Sequence, residues 1–340
     1  MHEDDIVVEP DTAVAMSDGI RLATDIHRPA RNGIARPGPF PVIMERTPYG
    51  KAAVSRSEVT RDNPHPPGRD EIASLFVRRG YVVVFQDCRG RFGSEGVFTK
   101  YLDDGKDGYD SCAWIVRQPW CNGRIGTMGL SYAAHTQAAL GCLDPPGLAA
   151  QIFDSGGFSD SYQGGIRQGG AFELKQATWA WKQALAAAAD DPATKAALER
   201  EDIRDWFARM PRAPGRSPVS ASPEYEAYLF EQWSHGRFDT YWKQLGIYVK
   251  GWHASYANVP MVHMSSWYDP YPRTATENYL GLKRFGKGPL QLILGPWTHG
   301  DRSVTFAGDV DYGERATIVG QRSAGAANPA PPVGPALGAQ

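Results

Sequence analysis

The chain has 340 residues, of which 42% are hydrophobic, 11% aromatic and 22% charged. This is ordinary globular composition, and it excludes a disordered chain or a coiled coil as the main interpretation. The 36 basic and 38 acidic residues give a net charge of −2, and no window of about 18 apolar residues is present. We therefore expect neither a nucleic acid nor a membrane as a partner.

The amino-terminal stretch MHEDDIVVEPD is acidic and lacks the basic start and apolar core of a secretory signal, so we expect a cytoplasmic protein. The four cysteines show no C-x-x-C spacing, which predicts free thiols rather than a disulfide framework or a zinc knuckle. These cysteines are Cys88, Cys112, Cys121 and Cys142. No H-E-x-x-H motif or related metal cluster is present, so we expect no metal and no cofactor.

The first half of the chain alternates between strand-like and helix-like segments. Strands are predicted at 6–9, 13–16, 21–27, 40–45, 81–86, 124–128 and 149–153, and helices at 71–79, 107–117 and 132–140. The segment YVVVFQ at 81–86 is almost entirely apolar, which is typical of a strand buried on both faces of a parallel sheet. The alternation predicts an α/β sheet with crossover helices.

The pattern changes after about residue 156. Residues 173–209 are rich in Ala and Trp and predict a long helix, and 224–249 predict another; the sheet pattern then resumes with a strand, a helix and a strand at 259–264, 273–284 and 290–294. We interpret 157–256 as a helical cap inserted into one α/β core formed by 1–156 and 257–319. Residues 320–340 are dominated by Ala, Gly and Pro, and we expect them to be a disordered tail.

The strongest chemical signal is the segment Gly126-Thr-Met-Gly-Leu-Ser-Tyr-Ala133, which lies between a predicted strand and a predicted helix. A nucleophile elbow has this setting, because a tight strand-to-helix turn exposes the serine above the sheet. Small residues flank such a serine because the turn is crowded. The usual last glycine of the motif is Ala133 here. We therefore predict Ser131 as a nucleophile, against the alternative of a loop serine that caps a helix.

A serine needs a base, and the base needs an orienting carboxylate. In α/β hydrolases the chain order is serine, acid, histidine. Asp269 follows the predicted strand 259–264, and His299 follows the strand 290–294, so both lie where active sites of α/β sheets are built. We predict Asp269 as the acid and His299 as the base. Four histidines compete with His299 for the role of base: His135, His235, His253 and His263.

A second oxyanion donor is expected after an early strand, where the chain reads ERTPYGK. No Gly-Gly motif is present, but the phenol of Tyr49 can donate a hydrogen bond. The alternative is a packed surface tyrosine. The glycine-rich segment DCRGRFGSEG at 87–96 does not match a phosphate-binding loop. We instead expect Asp87, Arg89 and Arg91 to form an ion-pair network near the site.

Several blocks of the sequence, spread from about residue 16 to 313, resemble the CocE/NonD hydrolase family. This family includes cocaine esterase, X-Pro dipeptidyl-peptidases and α-amino acid ester hydrolases. The blocks are SDGIRLATDIHRPA, FPVIMERTPYGK, YVVVFQDCRGRFGSEG, DGYDSCAWIVRQPWCNGRIGTMGLSYAA, SSWYDPYPRTATENY and LILGPWTHG. Together they are much more specific than the elbow alone.

The resemblance implies an α/β-hydrolase fold with a helical cap inserted before the acid. It implies Ser131 as nucleophile, Asp269 as acid and His299 as base, and an oxyanion hole formed by Tyr49 and the backbone N–H of Tyr132. It also implies a C-terminal jelly-roll β domain, for which the Ala/Gly/Pro-rich end of this sequence offers no counterpart. Ala133 is the second departure from the family pattern.

We therefore expect a serine hydrolase that cleaves a carboxylic ester of a small molecule through an acyl-enzyme intermediate. An amide remains open as the bond that is cleaved, as do an X-Pro dipeptidyl-peptidase and an α-amino acid ester hydrolase or acylase. A truncated fragment without catalytic activity is the alternative of another class. Tryptophans in the cap and near the acid are candidates for an apolar substrate pocket, namely Trp179, Trp181 and Trp267.

Overall fold

The computed structural model describes residues 5–54, 58–59, 64–208, 213–300 and 302–318. The predicted tail at 320–340 lies outside these described residues. The strands are β1 (Asp5–Ala15), β2 (Arg21–Arg31), β3 (Ile34–Ala35), β4 (Phe40–Thr47), β5 (Val82–Asp87), β6 (Cys121–Leu130), β7 (Leu148–Asp154), β8 (Arg167–Gln168), β9 (Ala171–Phe172), β10 (Met261–Ser266), β11 (Leu290–Gly295), β12 (Phe306–Ala307) and β13 (Val310–Asp311).

The α-helices are α1 (Arg69–Val77), α2 (Asp104–Ile115), α3 (Tyr132–Gly141), α4 (Lys175–Ala187), α5 (Pro192–Glu199), α6 (Ile203–Ala208), α7 (Pro223–Ser234) and α8 (Pro272–Arg284). Short 3₁₀ turns lie at Tyr241–Lys243, Val249–Trp252 and Glu314–Ala316. The helices α4 to α7 lie between β7 and β10 in the chain. The division into a core at 1–156 and 257–319 and a cap at 157–256 stays a prediction.

One mixed sheet organises the core, with the strand order β1-β2-β5-β4-β6-β7-β10-β11 and β3 paired to β2. The strands β1 and β2 are antiparallel to their neighbours, and all pairs from β5 to β11 along this order are parallel. The prediction of an α/β fold with a mostly parallel sheet is confirmed. Parallel strands end at the same edge, so the loops after β4, β6, β7, β10 and β11 meet there.

Burial explains why these segments form the centre of the sheet. All six residues of β5 are buried, as expected for a β-branched run covered on both faces. Helix α3 is buried at every position, and its Ala-rich sequence lets it approach β6 and β4 closely. The helix that follows the predicted elbow is therefore fixed on all sides.

Two predicted elements differ from the structure in the helical segment. The predicted helix 173–209 is broken, because Asp191 caps a new helix by accepting from the N–H groups of Ala193 and Thr194, and Pro192 lies in its first turn. The predicted helix 224–249 ends at Ser234 and continues as 3₁₀ turns. The hairpin of β8 and β9 was not predicted.

The first two predicted strands, 6–9 and 13–16, form one strand in the structure. The Pro-Asp pair between them reads as a turn in the sequence, but β1 runs through it with a register shift between Glu9 and Thr12. Asp11 takes a positive φ of 50°, and its N–H donates to Asp25. A β-bulge therefore replaces the predicted turn.

Close packing at the carboxyl end of α3 gives a stability prediction. A Cβ atom on Gly141 would lie 2.2 Å from the ring of Tyr256, whose hydroxyl donates to Gln151 inside the core. Gly141→Ala should therefore lower the free energy of unfolding by about 1–3 kcal/mol, because a tightly packed ring must move. Denaturant unfolding measures the change. The control Gly236→Ala adds a Cβ in open space and should have little effect; equal losses in both variants would contradict the packing explanation.

Candidate active site

The predicted nucleophile lies in a strained turn at the end of β6. Ser131 has φ 61° and ψ −116°, a conformation that L-residues rarely adopt, and α3 begins at the next residue. The backbone N–H of Ser131 donates to the carbonyl oxygen of Asp154 at the end of β7, over 2.9 Å. This is the geometry of a nucleophile elbow.

Two glycines leave space for the turn, one on each side, because a glycine has no side chain. A Cβ on Gly129 would lie 2.4 Å from the Cβ of Ala133, and a Cβ on Gly156 would lie 2.4 Å from the carbonyl oxygen of Ser131. Ala133 can replace the usual glycine of the motif because Gly129 faces it without a side chain. The departure noted in the sequence is thus accommodated locally.

Asp269 and His299 meet at the same edge of the sheet, after β10 and β11. The Nδ1 atom of His299 is 2.7 Å from Oδ2 of Asp269, and the other carboxylate oxygen accepts the N–H of Tyr271 over 2.7 Å. The side chain of Asp269 is closed to solvent, whereas that of His299 keeps about a quarter of its surface exposed. A buried carboxylate thus holds a partly accessible imidazole, as a general base requires.

The electrostatics of Asp269 favour a carboxylate. Burial pushes the pKa of Asp269 upward, but hydrogen bonding and charge from His299, the N–H of Tyr271 and the hydroxyl of Ser155 outweigh it and hold the pKa below its usual range. The group therefore stays ionised at neutral pH and stabilises an imidazolium on His299.

Tyr49 lies in the loop after β4 and reaches Ser131. Its hydroxyl accepts the indole N–H of Trp179 over 3.1 Å and lies beside the side chain of Ser131. Burial raises the pKa of the Tyr49 hydroxyl, so the proton is retained. Because the oxygen acts as an acceptor towards Trp179, the O–H bond is directed away from the indole, which suits a donor to an oxyanion.

Tyr132 contributes in two ways to the elbow. Its backbone N–H belongs to the first turn of α3, where N–H groups have no acceptor within the helix and attract negative charge. Its buried phenol accepts the N–H of Tyr101 over 2.8 Å. The ring thereby fixes the start of α3 to the loop before α2.

An ion pair that sequence reasoning missed ties the histidine loop to the sheet. The guanidinium of Arg302 contacts the carboxylate of Asp154 and the hydroxyl of Ser155, and it donates to the carbonyl oxygen of Thr298 over 2.8 Å. Thr298 directly precedes His299. The only signal in the sequence is a carboxylate at the carboxyl end of a strand and an arginine three residues after the predicted base.

The histidines that compete with His299 all have structural contacts. His135 accepts the N–H of Gly157 over 2.9 Å and stacks on Phe158, and burial together with the charges of Lys100 and Lys175 holds its pKa well below the usual range. Burial lowers the pKa of His263 to about 4. The remaining two bond within or near the cap, His235 to Asp239 and Glu231, and His253 to Asn278.

The predicted network of Asp87, Arg89 and Arg91 has different partners. Arg89 forms ion pairs with Asp18 and Asp107. Asp87 accepts the backbone N–H groups of Lys51 and Gly93. Arg91 donates to the carbonyl oxygen of Pro48 and to two side chains of the cap, Tyr225 and Gln183. The three residues therefore do not form one ion-pair network. Asp87 accepts hydrogen bonds from backbone N–H groups, and Arg91 donates hydrogen bonds to side chains of the cap.

The three candidate tryptophans lie in different surroundings. Trp179 stacks on Tyr132, with ring centroids 6.0 Å apart, and bonds to Tyr49. The indole of Trp181 donates to the carbonyl oxygen of Leu198 over 2.9 Å, within the cap. Trp267 is 64% exposed. Trp179 is thus next to the elbow, and the assignment of Trp181 and Trp267 to a substrate pocket stays a prediction.

The sequence and the fold of the chain both match known proteins. The family model of the X-Pro dipeptidyl-peptidases (S15 family) matches residues 18–301. The chain belongs to this S15 family. The resemblance predicted from the sequence blocks is confirmed. Among the described residues of this S15 chain, no helix is both long and apolar enough to cross a bilayer.

Relatives of this S15 chain include esterases and peptidases. Cocaine esterase from Rhodococcus sp. (strain MB1 Bresler) is 28% identical over 319 residues, which is 91% of this chain and 52% of that protein. A CocE/NonD family hydrolase from Staphylococcus aureus has a TM-score of 0.61 at 25% identity, over 86% of this chain and 47% of the other. An aminopeptidase from a marine sediment archaeon (Thaumarchaeota) shares the fold, with a TM-score of 0.65 at 23% identity over 91% of this chain and 52% of the other. The chain thus spans about half the length of these relatives.

The hydroxyl of Tyr49 gives the first prediction for the site. Tyr49→Phe should lower kcat by about 10²–10³, because one donor to the oxyanion is lost while the ring keeps its packing. Steady-state kinetics on a 4-nitrophenyl ester measure the change. The control Tyr162→Phe removes a hydroxyl that donates to the carbonyl oxygen of Gly236 in the cap, and it should leave kcat unchanged. An unchanged kcat in Tyr49→Phe would exclude the phenol as a donor.

The Arg302 contact gives a second prediction. Arg302→Gln should lower kcat about tenfold with little change in KM, because the loop that carries His299 loses its contact with Asp154 and the base is less well positioned. Arg302→Lys keeps the charge and should recover part of kcat. If instead KM rises and kcat stays at the wild-type value, Arg302 does not position the base.

Proposed function

We propose that this S15 chain is a serine hydrolase that cleaves carboxylic esters of small molecules through an acyl-enzyme intermediate. One observation carries the proposal. The His299–Asp269 pair, at 2.7 Å, lies at the same sheet edge as Ser131, which is held in an elbow with the Tyr49 hydroxyl beside it. This is the full set of groups that acyl transfer needs: nucleophile, base, orienting acid and oxyanion donor.

The groups would act in the following order. His299 takes the proton of the Ser131 hydroxyl as the serine oxygen attacks the acyl carbon, and Asp269 stabilises the imidazolium. The Tyr49 hydroxyl and the N–H of Tyr132 stabilise the negative oxygen of the tetrahedral intermediate. The intermediate collapses, and His299 gives its proton to the departing alcohol. Water, deprotonated by His299, then attacks the acyl-enzyme and releases the acid and Ser131.

The relatives support this reaction class. Two of the relatives are named as esterases. They are cocaine esterase and a putative serine esterase of Mycobacterium bovis, which is 34% identical over 126 residues. The alternatives named from the sequence, an X-Pro dipeptidyl-peptidase and an α-amino acid ester hydrolase or acylase, use the same triad. The cytoplasm stays the predicted compartment.

The acidic residues of the cap favour the esterase over the peptidase. A dipeptidyl-peptidase needs carboxylates that bind a free α-amine. The acidic candidates in the cap are all exposed, namely Asp190, Asp191, Glu199, Glu201 and Asp202. Asp191 is already used as a helix cap. A charged helix face in water is normally only solvated, so these residues do not argue for an amine site.

A direct test uses hydrolysis of 4-nitrophenyl acetate and butyrate by the wild-type chain and by Ser131→Ala. We expect turnover by the wild type and a loss of at least about 10³ in the variant, because the nucleophile is absent. A fluorophosphonate should add its mass to the wild type alone, on the peptide that carries Ser131.

The same experiment separates the proposal from a fragment without catalytic activity. A folded wild type that neither turns over the esters nor reacts with the fluorophosphonate would contradict the proposed function. Folding is measured independently by the cooperativity of thermal unfolding. Activity that persists in Ser131→Ala would assign the reaction to another group.

A further inference from the structure

A buried arginine lies behind the loop that carries Tyr49. Arg91, in the loop after β5, is only 2% exposed, and its Nε atom donates to the carbonyl oxygen of Pro48 over 2.9 Å. That carbonyl belongs to the peptide bond that joins Pro48 to Tyr49. The guanidinium of Arg91 therefore holds the backbone directly at the proposed oxyanion donor.

The backbone around Tyr49 is held at two further points. The N–H of Tyr49 donates to Oγ1 of Thr47 over 3.2 Å, and the N–H of Lys51 donates to Oδ1 of Asp87 over 2.7 Å. Asp87 and Arg91 belong to the same segment, so this segment holds the chain both before and after the tyrosine. A loop that is bonded in this way suits a donor that must be in place before the reaction begins.

The terminal nitrogens of Arg91 bond to the cap. One donates to the hydroxyl of Tyr225 in α7, and the other donates to the amide oxygen of Gln183 in α4 over 2.8 Å. Helix α4 also carries Trp179, whose N–H donates to the Tyr49 hydroxyl over 3.1 Å. The cap thus acts on Tyr49 in two ways, on the hydroxyl through Trp179 and on the backbone through Arg91.

The hydrogen-bond partners of Arg91 do not cancel its positive charge. They are a carbonyl oxygen, a phenol and an amide, which are neutral groups. The guanidinium carbon lies 5.0 Å from the ring centre of Phe92 and 5.6 Å from that of Phe98, and ring faces stabilise a cation without neutralising it. Burial raises the pKa of the Tyr49 hydroxyl, and the charge of Arg91 acts in the opposite direction. A positive charge behind the phenol favours negative charge in front of it.

We propose that Arg91 is a positioning residue of the oxyanion hole, which holds Tyr49 in place for its hydrogen bond to the developing negative oxygen and ties that place to the cap. This inference rests on the proposed function, because it assigns a role within that hydrolase. Arg91 acts through Tyr49 and needs no contact with the substrate. A shift of about 1 Å in a catalytic group can lower a rate by about 10². The effect of Arg91 on the rate should therefore require the Tyr49 hydroxyl.

A double-mutant cycle separates this role from a contribution to stability alone. Arg91→Met should lower kcat for 4-nitrophenyl butyrate about tenfold with little change in KM. In the Tyr49→Phe background the same substitution should change kcat by less than about twofold, because the hydroxyl that Arg91 positions is already absent. Arg91→Lys keeps the charge and should recover part of kcat. The rate is counted per serine that a fluorophosphonate labels at completion, so unfolded protein does not lower it.

Arg167 provides a matched control. It is also a buried arginine with neutral partners, since it donates to the carbonyl oxygens of Gly170 and Trp233 over 2.6 and 2.7 Å. These partners belong to the β8–β9 hairpin and to α7, not to the loop of Tyr49. Arg167→Met should lower the free energy of unfolding, as Arg91→Met does. Any effect of Arg167→Met on kcat should be the same with and without the Tyr49 hydroxyl.

A milder variant tests the same coupling if Arg91→Met does not fold. Tyr225→Phe removes one hydrogen-bond partner of Arg91 and keeps the packing of the ring. Its loss of kcat should be about two- to threefold, and it should likewise disappear in the Tyr49→Phe background.

The outcomes distinguish this inference from the proposed function. If Arg91→Met lowers kcat equally with and without the Tyr49 hydroxyl, the inference is overturned and the esterase stands. The same holds if Arg167→Met shows the same coupling, or if Tyr49→Phe leaves kcat unchanged, since Arg91 then has no donor to position. If the wild type neither hydrolyses the ester nor reacts with the fluorophosphonate, the proposed function itself fails.

Discussion

The strained backbone of Ser131 is the constraint on which the rest of the site depends. A non-glycine residue with φ 61° and ψ −116° costs about 1–3 kcal/mol and persists only where its surroundings fix it. Here β6 and α3 hold the turn from both sides, the carbonyl oxygen of Asp154 accepts its N–H, and Gly129 and Gly156 leave the space it needs. The strain places the Ser131 hydroxyl at the carboxyl edge of the sheet, next to the first N–H groups of α3, which are the proposed oxyanion donors. The proposed nucleophile and the proposed backbone donor are therefore set by one local conformation.

Trp179 connects this conformation to the segment between β7 and β10. Its ring stacks on Tyr132 and Phe98, and its N–H bonds to Tyr49, so a residue of α4 orients a side chain of the loop after β4. Arg91 makes the same kind of connection in the other direction, from the loop after β5 to Tyr225 and Gln183. Movement of these cap residues would therefore disturb the position of the Tyr49 hydroxyl. We therefore expect the proposed catalysis to depend on the packing of α4 and α7 against the core.

The sequence predicts the parts of the fold that depend on local pattern. The buried run of β5, the Ala-rich α3 and the strand-turn-helix around Ser131 each have a period or a turn residue that specifies them, and the family blocks support the same order. The long predicted helix at 173–209 was wrong because Asp191 and Pro192 start a new helix, and a propensity argument does not weigh one cap against many helix formers. The contacts of Arg302 with Asp154, and of Lys100 with Trp179, join segments that are more than 70 residues apart. Such pairs cannot be predicted from a local sequence pattern. In the sequence, each of these basic residues has the pattern of an ordinary surface residue, and its partner lies in a distant segment.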